Sequence, residues 1–178
     1  EYQLEQISNL TDKILFLEQY NSPEQHNKEN FNLTSLLRWH IKGLKALTDE
    51  KKISVNADIA ENVYINSVKD YIRRIINILT DNAVKYTPEN GIITIKLEDL
   101  KNKIFMSIEN TGEGIDAEYI DRIFDRFYRI NKTENKKKSG NGLGLTIAKS
   151  ILEKIGGEIS VESIRGKRTT FYISLPKK

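Results

Sequence analysis

The alternation of helical and strand-like hydrophobic periodicity is the feature of this sequence that most constrains its fold. Apolar residues recur every three or four positions across residues 67–85 and 143–155, which predicts two amphipathic helices. A pair of short apolar or alternating runs follows each helix, at residues 92–97 with 104–108 and at residues 161–163 with 169–175. Because a polar turn separates the runs of each pair, both pairs are predicted to be β-hairpins. The sequence therefore predicts an α/β (α+β) two-layer sandwich, with helices on one face of a mainly antiparallel sheet.

The residues before this pattern are predicted to extend the same sandwich. A short strand is expected at residues 31–33, and Thr34 is expected to cap the helix that follows it. Residues 53–57 and 62–65 are predicted to be two strands joined by a turn. We expect His40, which lies in the first of these helices and has no acidic neighbour, to be structural.

The first 21 residues differ from the rest of the chain. Their apolar residues follow a spacing of three or four, which predicts an amphipathic helix; they are Leu4, Ile7, Leu10, Ile14 and Leu17. This helix either packs on the core or forms half of a helical hairpin or coiled coil. Residues 22–30 are polar and include a Ser-Pro pair, so they are predicted to be a linker before a domain at residues 31–178.

Composition excludes several classes of protein. The chain has no Cys, which rules out disulfide scaffolds and Cys-ligated metal sites. Its 28 Lys and Arg against 25 Asp and Glu give a net charge of +3, too balanced to indicate a nucleic-acid partner. No apolar run approaches the roughly 20 residues that a membrane span needs. No signal peptide is visible and no Met starts the sequence, so we expect a fragment of a longer chain.

The end of the helix at residues 67–85 carries the first candidate site. Asn82 and Lys85 are three residues apart and so share a helix face. An amide oxygen can complete the coordination shell of Mg²⁺, and a neighbouring ammonium group can meet a phosphate. The alternative is an ordinary polar helix end, with Lys85 near the negative end of the helix dipole.

Two glycine-rich segments are the next candidates. Asn110 ends a predicted strand and precedes Gly112 and Gly114, which would let the backbone approach a planar ligand; the alternative is a simple loop. The segment Gly140-Asn141-Gly142-Leu143-Gly144-Leu145 opens a helix, where free N–H groups and the dipole favour an anion. Between the two segments, an aromatic stretch and a polar, Lys-rich segment at residues 130–139 suggest either a lid or a solvated face.

These motifs, in this order, resemble the catalytic and ATP-binding domain of bacterial sensor histidine kinases. Asn82-Ala83-x-Lys85-Tyr86-Thr87 resembles the N box, Asn110-x-Gly112-x-Gly114-Ile115 the first Gly box, Ile123-Phe124-Asp125-Arg126-Phe127 the F box, and Gly140-x-Gly142-Leu143-Gly144-Leu145 the second Gly box. Gly166-x-x-Thr169-Thr170-Phe171 is similar to the closing segment. The resemblance implies the Bergerat fold of the GHKL superfamily. It also implies that the N-terminal helix is the second helix of the dimerisation and phosphotransfer hairpin.

The resemblance also implies a role for each matching residue. Asn82 would ligate Mg²⁺, with Lys85 and Arg129 near the phosphates of ATP. The remaining positions would bind the nucleotide, and they are Tyr86, Asn110, Gly112, Gly114, Ile115, Gly140, Gly142, Leu143, Gly144 and Thr169. Three positions depart from the family pattern: Asn110 replaces an Asp, Ile78 replaces a polar residue, and Arg168 replaces a Gly.

The function that the resemblance implies is transfer of the γ-phosphoryl group of Mg²⁺-ATP to a histidine, which then feeds a response regulator receiver domain. The acceptor histidine is absent from this chain, so we do not expect the fragment alone to autophosphorylate. An upstream dimerisation helix would carry that histidine in a homodimer, and upstream segments would anchor the cytoplasmic domain to a membrane. The alternatives are a nucleotide-binding pseudokinase or scaffold, and an ATPase that uses water, which Ile78 disfavours because it cannot accept a proton.

Overall fold

The computed structural model describes residues 27–130 and 142–177. In chain order the elements are β1 (Glu29–Asn32), α1 (Leu33–Glu50), β2 (Ser54–Ile59), β3 (Tyr64–Ser67), α2 (Lys69–Tyr86), β4 (Ile92–Asp99), β5 (Lys103–Thr111), the short α3 (Ala117–Ile120), α4 (Gly144–Lys154), β6 (Glu158–Ile164) and β7 (Arg168–Pro176). The helix predicted in residues 1–21 lies outside the described residues, and so do residues 131–139 of the segment predicted to be a lid. Strand β1 begins at Glu29, inside the segment predicted to be a linker.

The main sheet has five strands in the order β2-β4-β5-β7-β6. Both predicted hairpins are confirmed, because β4 pairs antiparallel with β5 and β6 pairs antiparallel with β7. The two strands predicted at residues 53–57 and 62–65 are not partners. Strand β2 joins β4 in parallel, while β3 pairs with β1 in a separate two-stranded sheet. A parallel pair needs a crossover connection, and the segment containing α2 supplies it between β2 and β4.

The core lies between one face of the main sheet and the helices, as the hydrophobic pattern predicted. Alternate residues of the central strands are almost fully buried, among them Ile93, Ile95, Ile104, Met106, Ile108 and Ile173. The helices contribute Leu37, Ile72, Ile76, Leu79 and Ile151 to the same cluster. Among the described residues, no helix is long and apolar enough to cross a membrane.

The N-terminal cap of α1 differs from the prediction. Asn32 is the capping residue, and its Oδ1 accepts a hydrogen bond from the backbone N–H of Ser35 at 2.8 Å. Thr34 is already helical, and its hydroxyl donates to the backbone oxygen of Ala60 at 2.7 Å. Both residue types cap helices well. In this structure, the Thr34 hydroxyl bonds to the loop between β2 and β3 and does not cap the helix.

Candidate functional site

The last turns of α2 present the predicted face. Asn82 is half-buried, and its carboxamide makes no hydrogen bond with any described residue. The ammonium group of Lys85 lies 4.8 Å from the centre of the Tyr86 ring, which is 49% exposed. An amide and an ammonium group therefore stand at the end of this helix with their polar atoms available to a ligand.

The carbonyl groups at the end of α2 accept hydrogen bonds from two residues, Thr87 and Lys51. Thr87 donates its backbone N–H and its hydroxyl to the oxygen of Ala83, at 2.9 Å and 2.6 Å. The Nζ atom of Lys51 donates to the oxygen of Val84 at 2.7 Å and lies 3.4 Å from the oxygen of Lys85. Sequence analysis missed Lys51, because it lies 33 residues before Val84 and belongs to no motif.

The first glycine loop meets the end of α2. A Cβ atom on Gly112 would lie 2.6 Å from the backbone oxygen of Tyr86, so only glycine permits this approach. Asn110, at the end of β5, is 6% exposed. Its Nδ2 donates to the oxygen of Thr111 at 3.0 Å, whereas its Oδ1 accepts no hydrogen bond from the described residues. The side chain therefore offers an acceptor, as a ligand amino group requires.

Ser163 links the predicted residues Ile115 and Thr169. The Ser163 hydroxyl donates to the oxygen of Arg168 at 2.9 Å, and it accepts from the backbone N–H of Ile115 at 2.8 Å. The Thr169 hydroxyl lies 2.9 Å from Ser163 Oγ, and it is the donor because the Ser163 proton is already committed. Sequence analysis missed Ser163. Its register opposite Thr169 in the second hairpin is the signal that could have found it.

The same loop is fixed to the turn between β6 and β7. Gly112 donates to the oxygen of Lys167 at 3.1 Å, and Gly166 donates to the oxygen of Glu113 at 2.7 Å. Gly114 has φ +70°, and a Cβ atom there would lie 2.5 Å from the oxygen of Ile164. A side chain at this position would therefore be strained by its backbone and blocked by its neighbour.

The second glycine loop leads into α4. Gly142 has φ +66°, and a Cβ atom there would lie 2.8 Å from the carbonyl carbon of Phe127. The backbone N–H of Phe127 donates to the oxygen of Gly142 at 3.0 Å. Leu143 is buried, and a Cβ atom on Gly144 would lie 3.4 Å from Cγ2 of Ile78. Since Ile78 is one turn before Asn82, the start of α4 lies beside the Asn82 face of α2. Gly140 lies outside the described residues.

Arg129 directly follows the segment that packs on the second glycine loop, since a Cβ atom on Gly142 would lie 2.8 Å from the backbone oxygen of Tyr128. It is exposed in the irregular segment after Phe127. A cavity of about 570 Å³ in this region is lined by Arg122, Asp125, Arg126, Phe127, Tyr128, Arg129 and Ile130. Of the predicted site residues, this lining includes Arg129 alone.

Arg168 and His40 both have structural explanations. Arg168 projects beside Glu109, 3.7 Å from its carboxylate, and β7 keeps its register with β5. The Nε2 atom of His40 lies 2.8 Å from the hydroxyl of Thr80, which itself donates to the oxygen of Ile76. His40 is therefore the donor to Thr80. Burial lowers the pKa of His40 and favours the neutral ring.

Residues 67–178 match the family described as histidine kinase-, DNA gyrase B-, and HSP90-like ATPase. The chain belongs to this family. It is 30% identical over 178 residues to the sensor histidine kinase WalK of Bacillus subtilis (strain 168), covering 98% of this chain and 29% of WalK. It is also 36% identical over 148 residues to the sensor protein SrrB of Staphylococcus aureus (strain NCTC 8325 / PS 47), covering 77% of this chain and 25% of SrrB. The chain thus spans less than a third of the length of these relatives.

Solved structures give the same result for the fold of this family member. The nucleotide-free catalytic domain of histidine kinase ThkA matches with a TM-score of 0.75 and 28% identity, covering 85% of this chain and 96% of that domain. ThkA in complex with the response regulator protein TrrA matches with a TM-score of 0.79 and 25% identity, covering 98% of this chain and 49% of that one. The resemblance and the predicted fold class are confirmed.

Proposed function

We propose that the chain is the catalytic part of a bacterial sensor histidine kinase, which binds Mg²⁺-ATP and transfers the γ-phosphoryl group to a histidine. One observation carries the proposal: both glycine loops contact α2 on either side of Asn82. The backbone oxygen of Tyr86 abuts Gly112, and Ile78 abuts Gly144. The face that carries Asn82 therefore lies between the two glycine loops.

On this proposal the base lies on the first glycine loop. The Oδ1 atom of Asn110 accepts from the adenine amino group, and Thr169 supports it from the neighbouring strand. Tyr86, Gly112, Gly114 and Ile115 border the base. These roles fit the available acceptor of Asn110 and the close approach at Gly112.

The phosphates lie along α2 and the start of α4. Lys85 and Arg129 contribute positive charge, while the backbone N–H groups of Gly142, Leu143 and Gly144 contribute donors at a helix N-terminus. Asn82 provides an amide oxygen for Mg²⁺, and the described residues contain no cluster of three His, Cys, Asp or Glu that could hold a metal. This donor set fits Mg²⁺, which commonly keeps several waters and shares phosphate oxygens with the protein. When bound, the ion neutralises charge on the phosphates.

Transfer then depends on positioning and charge, with little covalent work for the protein. We propose that residues 31–178 form the catalytic domain and that the preceding helix belongs to the dimerisation hairpin of a homodimer. An upstream helix of that hairpin carries the acceptor histidine, and a response regulator receives the phosphoryl group. ThkA, a relative solved with its response regulator, supports this partner class. Upstream segments would anchor the domain on the cytoplasmic side of a membrane.

A nucleotide-binding pseudokinase is the second candidate, and the environment of Ile78 favours it. The side chain one turn before Asn82 is aliphatic and packs toward Gly144, so it can neither accept a proton nor ligate a metal. The same residue disfavours hydrolysis of ATP by an activated water. The histidine kinases among the relatives favour the phosphotransfer reaction.

The first test is calorimetric titration of the chain and its Asn82→Ala variant with ATP, with and without Mg²⁺. We expect Asn82→Ala to lose at least tenfold in Mg²⁺-dependent affinity, in line with a lost charge-assisted contact. Asn77→Ala is the matched control, because Asn77 lies on α2 but on a different face. Unchanged affinity in Asn82→Ala would remove the assignment of the metal ligand.

The second test supplies the acceptor that this chain lacks. The chain is incubated with radiolabelled Mg²⁺-ATP, alone and with a separately produced dimerisation hairpin that carries a histidine. We expect acid-labile phosphate on the added hairpin only. Binding of ATP without any transfer would favour the pseudokinase. Label on His26 or His40 would contradict the inference that the acceptor lies outside this chain.

A further inference from the structure

Lys51 joins two segments that the sequence places far apart. It follows α1 directly, is half-buried, and extends its ammonium group to the last turn of α2. Nζ lies 2.7 Å from the oxygen of Val84 and 3.4 Å from the oxygen of Lys85. The backbone oxygen of Lys51 also accepts from the N–H of Asn90 at 3.2 Å. One residue thus contacts both the end of α2 and the loop that follows it.

The chemistry of the helix end explains why a cation is needed there. The last carbonyl groups of a helix have no partner within the helix. The regular partner of Val84 would be the N–H four residues later, but that residue is Pro88, which has none. The Lys51 ammonium group supplies this hydrogen bond. Its positive charge also interacts favourably with the negative end of the helix dipole.

The next carbonyl group connects this helix end to the nucleotide loop. The oxygen of Tyr86 would lie 2.6 Å from a Cβ atom on Gly112, so the first glycine loop packs directly on the turn that Lys51 holds. The same turn carries Lys85, and Asn82 is one turn earlier. A shift of this turn would therefore displace the phosphate-binding side chains relative to the loop beneath the base.

We propose that Lys51 is a positioning residue of the nucleotide site: it holds the last turn of α2 in register with the first glycine loop. This inference rests on the proposed function, because it assigns Lys51 to the site where ATP binds. Lys51 acts through Asn82, Lys85 and Tyr86, and it does not itself contact the nucleotide.

The test compares Lys51→Met with Lys52→Met by calorimetric titration with Mg²⁺-ATP. Met keeps the unbranched apolar stem and removes the donor. Lys52 is the matched control, because it pairs with Glu89 at 2.8 Å on the surface and makes no bond to α2. We expect about tenfold weaker binding in Lys51→Met, the size of one charge-assisted bond. Lys51→Arg should restore most of the affinity, and Lys52→Met should bind like the parent chain.

Hydrogen exchange without nucleotide separates positioning from a general loss of stability. In Lys51→Met we expect faster exchange at Tyr86 and Thr87, with the amides of β5 and β7 unchanged. Uniformly faster exchange, or a parent-like affinity in Lys51→Met, would overturn the proposal. If the parent chain itself fails to bind Mg²⁺-ATP, the proposed function falls, and the exchange pattern still decides whether Lys51 holds the turn. Should Lys51→Met not fold, Lys51→Gln is measured with the same criteria.

Discussion

The two glycine loops border the same helix, but they are attached to the protein in different ways. The first loop exchanges backbone hydrogen bonds with the turn between β6 and β7 in both directions, through Gly112 and Glu113. The Ser163 hydroxyl and an ion pair between Arg165 and Asp116, at 2.8 Å, add to this attachment. In its described part, the second loop is attached by the bond from Phe127 to Gly142 and by the Thr146 hydroxyl, which donates to the oxygen of Phe124 at 2.9 Å.

Among the described residues, the first loop therefore has more attachments than the second. Local opening costs less free energy where fewer hydrogen bonds and buried contacts must break. The first loop, which the proposed function places beneath the base, is continuous with two strands of the main sheet. The described residues of the second loop, which the proposed function places at the phosphates, lead from Gly142 into α4. We therefore expect substitutions in the first loop to destabilise the whole fold, and those in the second to change mainly the affinity for the ligand.

The largest effect is expected from alanine at Gly114 and at Gly142, one glycine with positive φ from each loop. Gly114→Ala meets the oxygen of Ile164 in a rigid hairpin, so we expect it to lower the free energy of unfolding by about 3 kcal/mol. Gly142→Ala meets the backbone of Phe127 and Tyr128 at 2.8 Å in an irregular segment rather than in a hairpin, so its loss should be smaller, about 2 kcal/mol. Denaturant titration of both variants measures the difference. Equal losses would show that the two loops are attached equally well.

Ser163→Ala probes the attachment of the first loop without altering its backbone. The substitution leaves the N–H of Ile115 and the hydroxyl of Thr169 without their acceptor, so we expect a loss of about 2 kcal/mol in unfolding free energy. Ser160→Ala on the same strand is the control, because Ser160 is exposed. A Ser163→Ala variant as stable as its control would mean that this hydroxyl does not secure the loop.

In the first loop, Asn110→Asp should increase the affinity for ATP and lower the free energy of unfolding. A carboxylate would accept from the adenine amino group with charge assistance, which should tighten ATP binding by about 1 kcal/mol, or about fivefold. The carboxylate cannot donate to the oxygen of Thr111, so the unfolding free energy should fall by about 1 kcal/mol. Calorimetric titration and denaturant unfolding measure the two quantities. A fall in affinity would place the adenine elsewhere.

The smallest effect is expected from His40. This residue lies on α1 and bonds to Thr80 on α2, and it makes no hydrogen bond to the described residues of either glycine loop. Burial lowers the pKa of His40 below 6.5 in the folded chain. As the pH falls, the unfolded chain therefore binds a proton at this residue at a higher pH than the folded chain does. Stability should therefore be lost as the pH falls below 6.5, and this loss should end below the folded pKa. His40→Gln, which can still donate to Thr80, should show a weaker dependence between pH 7.5 and pH 5. An identical dependence would remove His40 as the cause.

Periodicity and short motifs were enough to predict much of the fold. The three-residue spacing of Asn82 and Lys85 placed them on one face of α2, and alternation along the chain predicted both hairpins. These features depend on local geometry, which the sequence encodes directly. The partner of β2 was not predictable in this way, because parallel pairing depends on the path of the chain through α2.

The parts of the site that sequence analysis missed depend on tertiary contacts. Ser163 and Lys51 belong to no motif, and each acts on backbone groups far away in the sequence. The cap of α1 also depends on a distant contact. The Thr34 hydroxyl bonds to the carbonyl oxygen of Ala60, and Asn32 caps the helix. A residue that supports a site by bonding to the backbone of another element need not belong to any short motif, so the spacing of residues in the sequence does not reveal it.

The parallel pairing of β2 with β4 also leads us to expect an order of folding. The two hairpins form from contacts close in sequence, whereas the pairing of β2 with β4 spans β3 and α2 and closes a longer loop at greater entropic cost, so we expect β2 to pair last. Interactions made by β2 should then be largely absent from the folding transition state. A truncation such as Val55→Ala should accelerate unfolding and leave the folding rate nearly unchanged, so this edge strand governs how long the native state persists.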